Sequence, residues 1–290
     1  YTTIFRSRDK AGMQYSLDGG ATKTAVPSGT AINGGNDLSV GTKVTFYGTA
    51  TSSSTTLFTI INGGTAQVKV YGNIMSLIYA DFADKKTLTE DFVFTNLFNG
   101  NVNLIDASGL LLPATTLTKR CYAGLFGGCS SLTTPPAELP ATTLQATCYQ
   151  SMFHSCTSLT TAPELKATTM APSCCFCMFY NCPKLPTAPE LKATDLTGGY
   201  NCYIYMFENC TSLTTAPVLP AETLVSGCYY YMFHGCTKLS SVTCLATTIA
   251  DDTCTKEWLD GAGTDASVTG RTLHIKAGQS TTDANWNLDL

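Results

Sequence analysis

The sequence predicts an α/β repeat solenoid behind a small antiparallel β-sandwich. Three observations carry this: a motif recurring five times without gaps, a second shared piece between its copies, and a different texture over residues 1–75. The motif reads CYAGLFGGCSSL, CYQSMFHSCTSL, CCFCMFYNCPKL, CYIYMFENCTSL and CYYYMFHGCTKL. Its phenylalanines, Phe126, Phe153, Phe179, Phe207 and Phe233, follow one another in steps of 27, 26, 28 and 26 residues. Between the copies run TTAPELKATTM, PTAPELKATDL and TTAPVLPAETL. A unit of this length is one strand plus one short helix, the size of a leucine-rich repeat.

Spacing inside the unit places its parts. Cys148 and Met152 are four apart, as are Tyr149 and Phe153, and Cys156 follows Phe153 by three. Those are neighbours on a helix surface, so the spacing predicts a short helix with Cys, Met, Phe and the second Cys on one inward face. The extended TTAPE stretch between Leu159 and Leu165 is assigned to the strand. Pro163 has no N–H to give a ladder, so it suits the strand's end or a polyproline-like turn.

The array extends past the five clear copies. Leu97, Phe98, Asn101 and Leu104 occupy repeat positions upstream; Cys254, Trp258, Leu259 and Ala262 do so downstream. Degenerate end repeats are expected where a stacked array meets water. RTLHIKAG reads as a last strand closing that end. At the front, TTIFRS, QYSLDGG, TKVTFYG, TLFTII and AQVKVYG are short strand-like runs separated by turn residues. The resulting division is a β-sandwich-like domain over 1–75, a connecting and capping segment over 76–91, the solenoid over 92–260 and a C-terminal cap over 261–290.

Composition narrows function. Charged residues make up 13% of the chain and the formal net charge is −4, with no cluster of Lys and Arg to meet a nucleic-acid backbone. No apolar run approaches the roughly 20 residues of a membrane-spanning helix. With Tyr1 in first place, an export signal or lipid-anchoring segment upstream of residue 1 is expected to have been removed.

All 14 cysteines fall between Cys121 and Cys254, and the repeat explains most of them. One column holds Cys121, Cys148, Cys174, Cys202, Cys228 and Cys254; a second holds Cys129, Cys156, Cys182, Cys210 and Cys236. A disulfide within one unit would span eight residues of helix, ~12 Å, beyond the ~7 Å limit between bridged Cα atoms. Neighbours down a column lie within reach but need a particular side-chain geometry to bridge, and buried thiols acting as small hydrophobes are favoured over a disulfide ladder without excluding it. The CCFC run at Cys174, Cys175 and Cys177 lacks a nearby His and is favoured as structural over zinc-binding.

Catalytic motifs are absent. The three histidines are His154, His234 and His274. The first two share a repeat position filled elsewhere by Gly127, Tyr180 and Glu208, which predicts an exposed, freely substituted site. No nucleophile elbow, phosphate loop or HExxH occurs. Glu138, Glu164 and Glu190 stack in successive repeats and form a candidate acidic strip for a cation or sugar hydroxyls, against the plainer reading of solvated side chains. Tyr122, Tyr149, Tyr203 and Tyr229 form a column expected to be structural. Tyr200, Tyr205, Tyr230 and Tyr231 are the candidate contact residues, since Tyr offers a large face and a hydroxyl at little entropic cost.

The phrase running CYxxMFxxCTSLTTAPELPATTL through residues 92–260, with YSLDGG and GNIMSLIYADF ahead of it, resembles the repeat of BspA-like leucine-rich-repeat surface proteins of bacteria. The resemblance implies a right-handed solenoid and an exported, often outer-membrane lipid-anchored protein at the cell surface. It also implies adhesion to extracellular proteins or glycans, with no cofactor and no catalytic residues. Cys175 departs from the Tyr column, and Lys166 and Lys192 replace the Pro that opens PATTL. Such repeats also occur in phage structural and receptor-binding proteins, so a part in a virion fibre or an accessory role in a surface complex is the alternative.

Overall fold

In the computed structural model, the structure describes residues 14–25, 43–47 and 67–275, and the strands at 3–4, 62–63 and 287–289. At the front lie Thr3–Ile4 (β1), Gln14–Ser16 (β2), Thr24–Ala25 (β3), Thr45–Tyr47 (β4) and Asn62–Gly63 (β5). They pair antiparallel, β1 with β5 and in the order β3-β2-β4. How these pieces would make a sandwich lies outside the described residues.

From Val68 the pairing turns parallel. Val68–Asn73 (β6) lies beside Leu104–Leu111 (β7), so the AQVKVYG run joins the array instead of an antiparallel sheet. Two short 3-10 turns follow β6, at Ile74–Leu77 and Phe82–Asp84. The coils then stack through very short strands: Glu138–Leu139 (β8) on Glu164–Leu165 (β9), and Thr223–Leu224 (β10) on Thr248–Ile249 (β12). Ser241–Cys244 (β11), Thr272–Ile275 (β13) and Asn287–Asp289 (β14) close the far end as a parallel sheet. Here RTLHIKAG supplies β13, as read from the sequence. Between strands, single parallel bridges run from coil to coil, such as Thr143 to Thr169, Thr169 to Asp195 and Asp195 to Thr223. The extended TTAPE stretch is strand only at its last residue and the following Leu; Pro163 sits buried just before β9, where its missing N–H breaks no ladder.

The expected helix is absent: the described residues contain no α-helix. Its place is taken by a ribbon of overlapping turns. The N–H groups of Arg120, Tyr122, Gly124, Phe126 and Gly128 donate to carbonyls of the next coil at 2.7–3.1 Å. The N–H groups between them, from Cys121 to Cys129, donate three residues back. Every fourth residue is left-handed: Arg120, Gly124 and Gly128 have φ of 55°, 62° and 71°. An α-helix spends every interior N–H on its own i−4 carbonyl; this ribbon spends half of them on its neighbour. Its four-residue period still sends Cys148, Tyr149, Met152, Phe153 and Cys156 inward, and all five are buried.

Those inward residues form one continuous core from Ile74 to Ile275. Phe98, Phe126, Phe153, Phe179, Phe207 and Phe233 stack in file, with centroids 5.3–5.7 Å apart and planes within 12° of parallel. Beside them run Phe94, Tyr122 and Tyr149, and, after Cys175, Tyr203, Tyr229 and Trp258. The sequence-predicted end positions Leu97, Phe98, Trp258 and Leu259 are likewise buried.

The left-handed positions carry strain where the side chain is branched. Thr147 sits at φ 55°, a region costing a residue with a Cβ about 1–2 kcal/mol, and a β-branched one most. Thr147→Gly is expected to raise stability by about 0.5–1 kcal/mol after glycine's larger unfolded-state entropy is subtracted. Chemical denaturation checks this. A lower midpoint would mean that the bond from Thr147 Oγ1 to the Ala146 carbonyl, 2.7 Å, outweighs the strain.

Candidate functional site

Three surfaces hold the residues singled out above: the cysteine columns inside, the Glu positions on the strand side, and the outer edge of the turn ribbon. All 14 cysteines are free thiols, and only Cys177 is more than slightly exposed. The second column has a hydrogen-bonding role. Cys129, Cys156, Cys182, Cys210 and Cys236 point their Sγ at the Phe98, Phe126, Phe153, Phe179 and Phe207 carbonyls of the preceding coil, at 2.9–3.2 Å. A thiol is small enough to fit between coils and still offers a weak donor. Burial pushes Cys129 and Cys210 up to about 12, so these thiols stay protonated and inert. Cys254 differs, since a hydrogen bond from Cys228 brings it down to about 7 against the opposing effect of its burial.

On the strand side, Glu138, Glu164 and Glu190 do line up, with β8 and β9 pairing Glu138 directly with Glu164. They are interleaved with Lys166 and Lys192. Lys166 bonds Glu138 and lies 3.9 Å from Glu164; Lys192 lies 3.0 Å from Glu164 and 3.6 Å from Glu190. The hydrogen bond from Lys192 holds Glu164 below its ordinary value. The strip is therefore a charge zipper of three carboxylates and two ammonium groups. Each Lys stands two residues after its Glu, on the same side of an extended segment, and that spacing was the available signal. A shallow open groove runs beside it between the Thr161–Glu164 and Thr187–Glu190 segments.

The turn-ribbon edge holds the aromatic candidates. Tyr205 lies 5.7 Å from Tyr230 and 5.3 Å from Tyr231, and the last two are 4.5 Å apart, edge to face. Phe176 packs on Tyr205 at 5.7 Å, a neighbour not singled out from sequence. The Tyr231 hydroxyl donates to Glu257. Tyr205 and Tyr231 both occupy left-handed positions, at φ 55° and 53°. Tyr200 is the more exposed residue, at 53%, on the two-residue-longer loop that precedes Cys202. The column of Tyr122, Tyr149, Tyr203 and Tyr229 is fully interior.

The histidine position is half-buried rather than freely exposed. His234 lies between carboxylates of the coils before and after it, 3.2 Å from Glu208 at Nδ1 and 3.4 Å from Asp260 at Nε2. His154 leans over Gly127, where any Cβ would come within 2.6 Å of the ring. Burial lowers the His154 pKa below its usual 6.5. Below about pH 6.5 the unfolded chain therefore binds a proton that the folded chain resists, and stability falls as pH drops. His154→Gln is expected to flatten the stability profile between about pH 7.5 and about pH 5.5, measured by denaturation. An unchanged slope would remove His154 from the account.

Among the described residues, no cluster of three or more His, Cys, Asp or Glu is arranged to hold a metal ion, and no helix is long and apolar enough to cross a membrane. No family model, curated protein or solved structure matches the chain. The mostly β, solenoid-like repeat architecture thus stands on the geometry of the chain itself.

Proposed function

We propose that the chain is a non-catalytic binding protein, an extracellular leucine-rich-repeat adhesin of the BspA-like kind, holding a protein or glycan on its repeat surface. One observation carries the reading. The interior is a single apolar stack of repeated residues, whereas the central position of the turn ribbon changes from coil to coil, through Asn96, Gly124, Ser151, Cys177, Tyr205 and Tyr231. Stacked coils build an extended surface suited to a ligand much larger than a metabolite. Thr- and Ser-rich edges with few charges fit exposure outside the cell.

The test is an array carrying both extracellular-matrix proteins and glycans, probed with the full chain. Saturable binding to a discrete set of spots is the expected result. Silence across both halves of the array would overturn the proposal and favour a structural part of a larger assembly, whose neighbours a pull-down would then identify.

A further inference from the structure

The outer edge of the turn ribbon changes character halfway along the solenoid. Its central left-handed position runs Asn96, Gly124 and Ser151 in the first coils, then Cys177, Tyr205 and Tyr231. One position earlier, Gln150 gives way to Phe176 and later to Tyr230. Copying of a repeat preserves columns, and the interior columns are preserved; this edge is not. A Tyr at positive φ is also a poor backbone choice, costing about 1–2 kcal/mol where Gly or Asn would be cheaper. Nothing in the packing of the core requires these rings.

We propose that Tyr205, Tyr230 and Tyr231 form a stacking platform for an extended hexose polysaccharide lying along the solenoid axis. The inference rests on the reading of the repeat surface as a binding surface and names its ligand class. The rings pack on one another at 4.5–5.7 Å, two pairs edge to face and the Tyr205–Tyr231 pair tilted, which leaves no room for an ammonium group between them and so argues against a cation cage. They are also fixed in place. Glu257 accepts from the Tyr231 hydroxyl, and the His234 ring packs 5.0 Å from Tyr231 between Glu208 and Asp260. Rings already ordered lose little entropy when a ligand arrives.

The carboxylates beside the rings offer acceptors to the same ligand. Glu208, Glu257 and Asp260 each already face a protein partner. Their remaining lone pairs can accept from sugar hydroxyls, which carry no charge to be neutralised. The apolar C–H face of a pyranose fits a tyrosine ring, and the flanking acceptors fit its edge. Coils repeat every 5.3–5.7 Å along the Phe file, close to the length of one residue in an extended 4-linked hexose chain. Two successive sugars therefore reach Tyr205 and Tyr231, which hold the same position on adjacent coils.

The experiment is affinity electrophoresis of the full chain through gels containing soluble β-glucan, mannan or galactan. Titration calorimetry follows, using 4-linked oligomers of increasing length. The variants are Tyr205→Asn and Tyr231→Asn, because Asn96 fills this position in the first coil and tolerates its backbone; Tyr205→Phe keeps the ring. Retardation by at least one polymer is expected, with affinity rising from disaccharide to tetrasaccharide. Each Asn variant is expected to lose about tenfold, and Tyr205→Phe less than about threefold. Unchanged retardation in both Asn variants would overturn the platform. So would no retardation in any gel by a chain that still binds matrix proteins on the array; that outcome leaves the binding reading standing and removes only its sugar.

Discussion

Phe179→Ala is expected to destabilise the protein by about 4 kcal/mol, in the range found when a fully buried Phe is truncated and its cavity only partly collapses. Phe179 is completely buried and stacks on both sides, 5.4 Å from Phe153 and 5.6 Å from Phe207. In a stacked array stability is roughly a sum of coil and nearest-neighbour terms, so a central loss weakens two interfaces at once. Phe98→Ala should cost less, since Phe98 is 7% exposed and, among the described residues, its ring stacks on Phe126 alone. Urea denaturation of the two variants checks both magnitude and order. Equal losses would mean that the aromatic file does not act through its neighbours.

The second large effect is expected at the break in the tyrosine column. Cys175 stands where Tyr149 and Tyr203 stand in the adjacent coils, and the missing ring is only partly replaced. Met170, where other coils carry Leu144, Leu196 and Leu224, reaches toward the gap, and the Tyr203 hydroxyl meets its sulfur at 3.5 Å. A void of about 10 Å³ remains beside them. Cys175→Tyr alone should overpack the site and cost about 1–3 kcal/mol. Combined with Met170→Leu it should restore the regular column and recover that loss. The coupling energy in the double-mutant cycle is expected to be about 2 kcal/mol or more. Additive effects would show that the two residues do not share the space.

The candidate surfaces were only partly legible in the sequence. The column positions of Glu138, Glu164 and Glu190 could be read, but their interleaving with Lys166 and Lys192 depends on the offset between coils. Tyr205, Tyr230 and Tyr231 could be picked out by type. Phe176 joins them because the ribbon brings the preceding coil alongside. His154 and His234 looked alike in the alignment, yet one rests on a glycine and the other between two carboxylates. Neighbours in the next coil are 26 or so residues away, and a column's chemistry is set by them.

The length of the repeat, the inward-facing residues and the weakening of the array into its end coils can all be read from the residues alone. The physical reason is that burial of Cys, Tyr, Met and Phe at fixed spacing is worth the same whatever the backbone does between them. Tertiary structure decided that the backbone there is a turn ribbon and not a helix. An inward pair four apart suits both. The choice turns on whether alternate N–H groups find carbonyls in an adjacent coil, as Phe126 finds Met152 at 2.8 Å. Those acceptors exist only once the coils have stacked, so no single repeat read alone could reveal them.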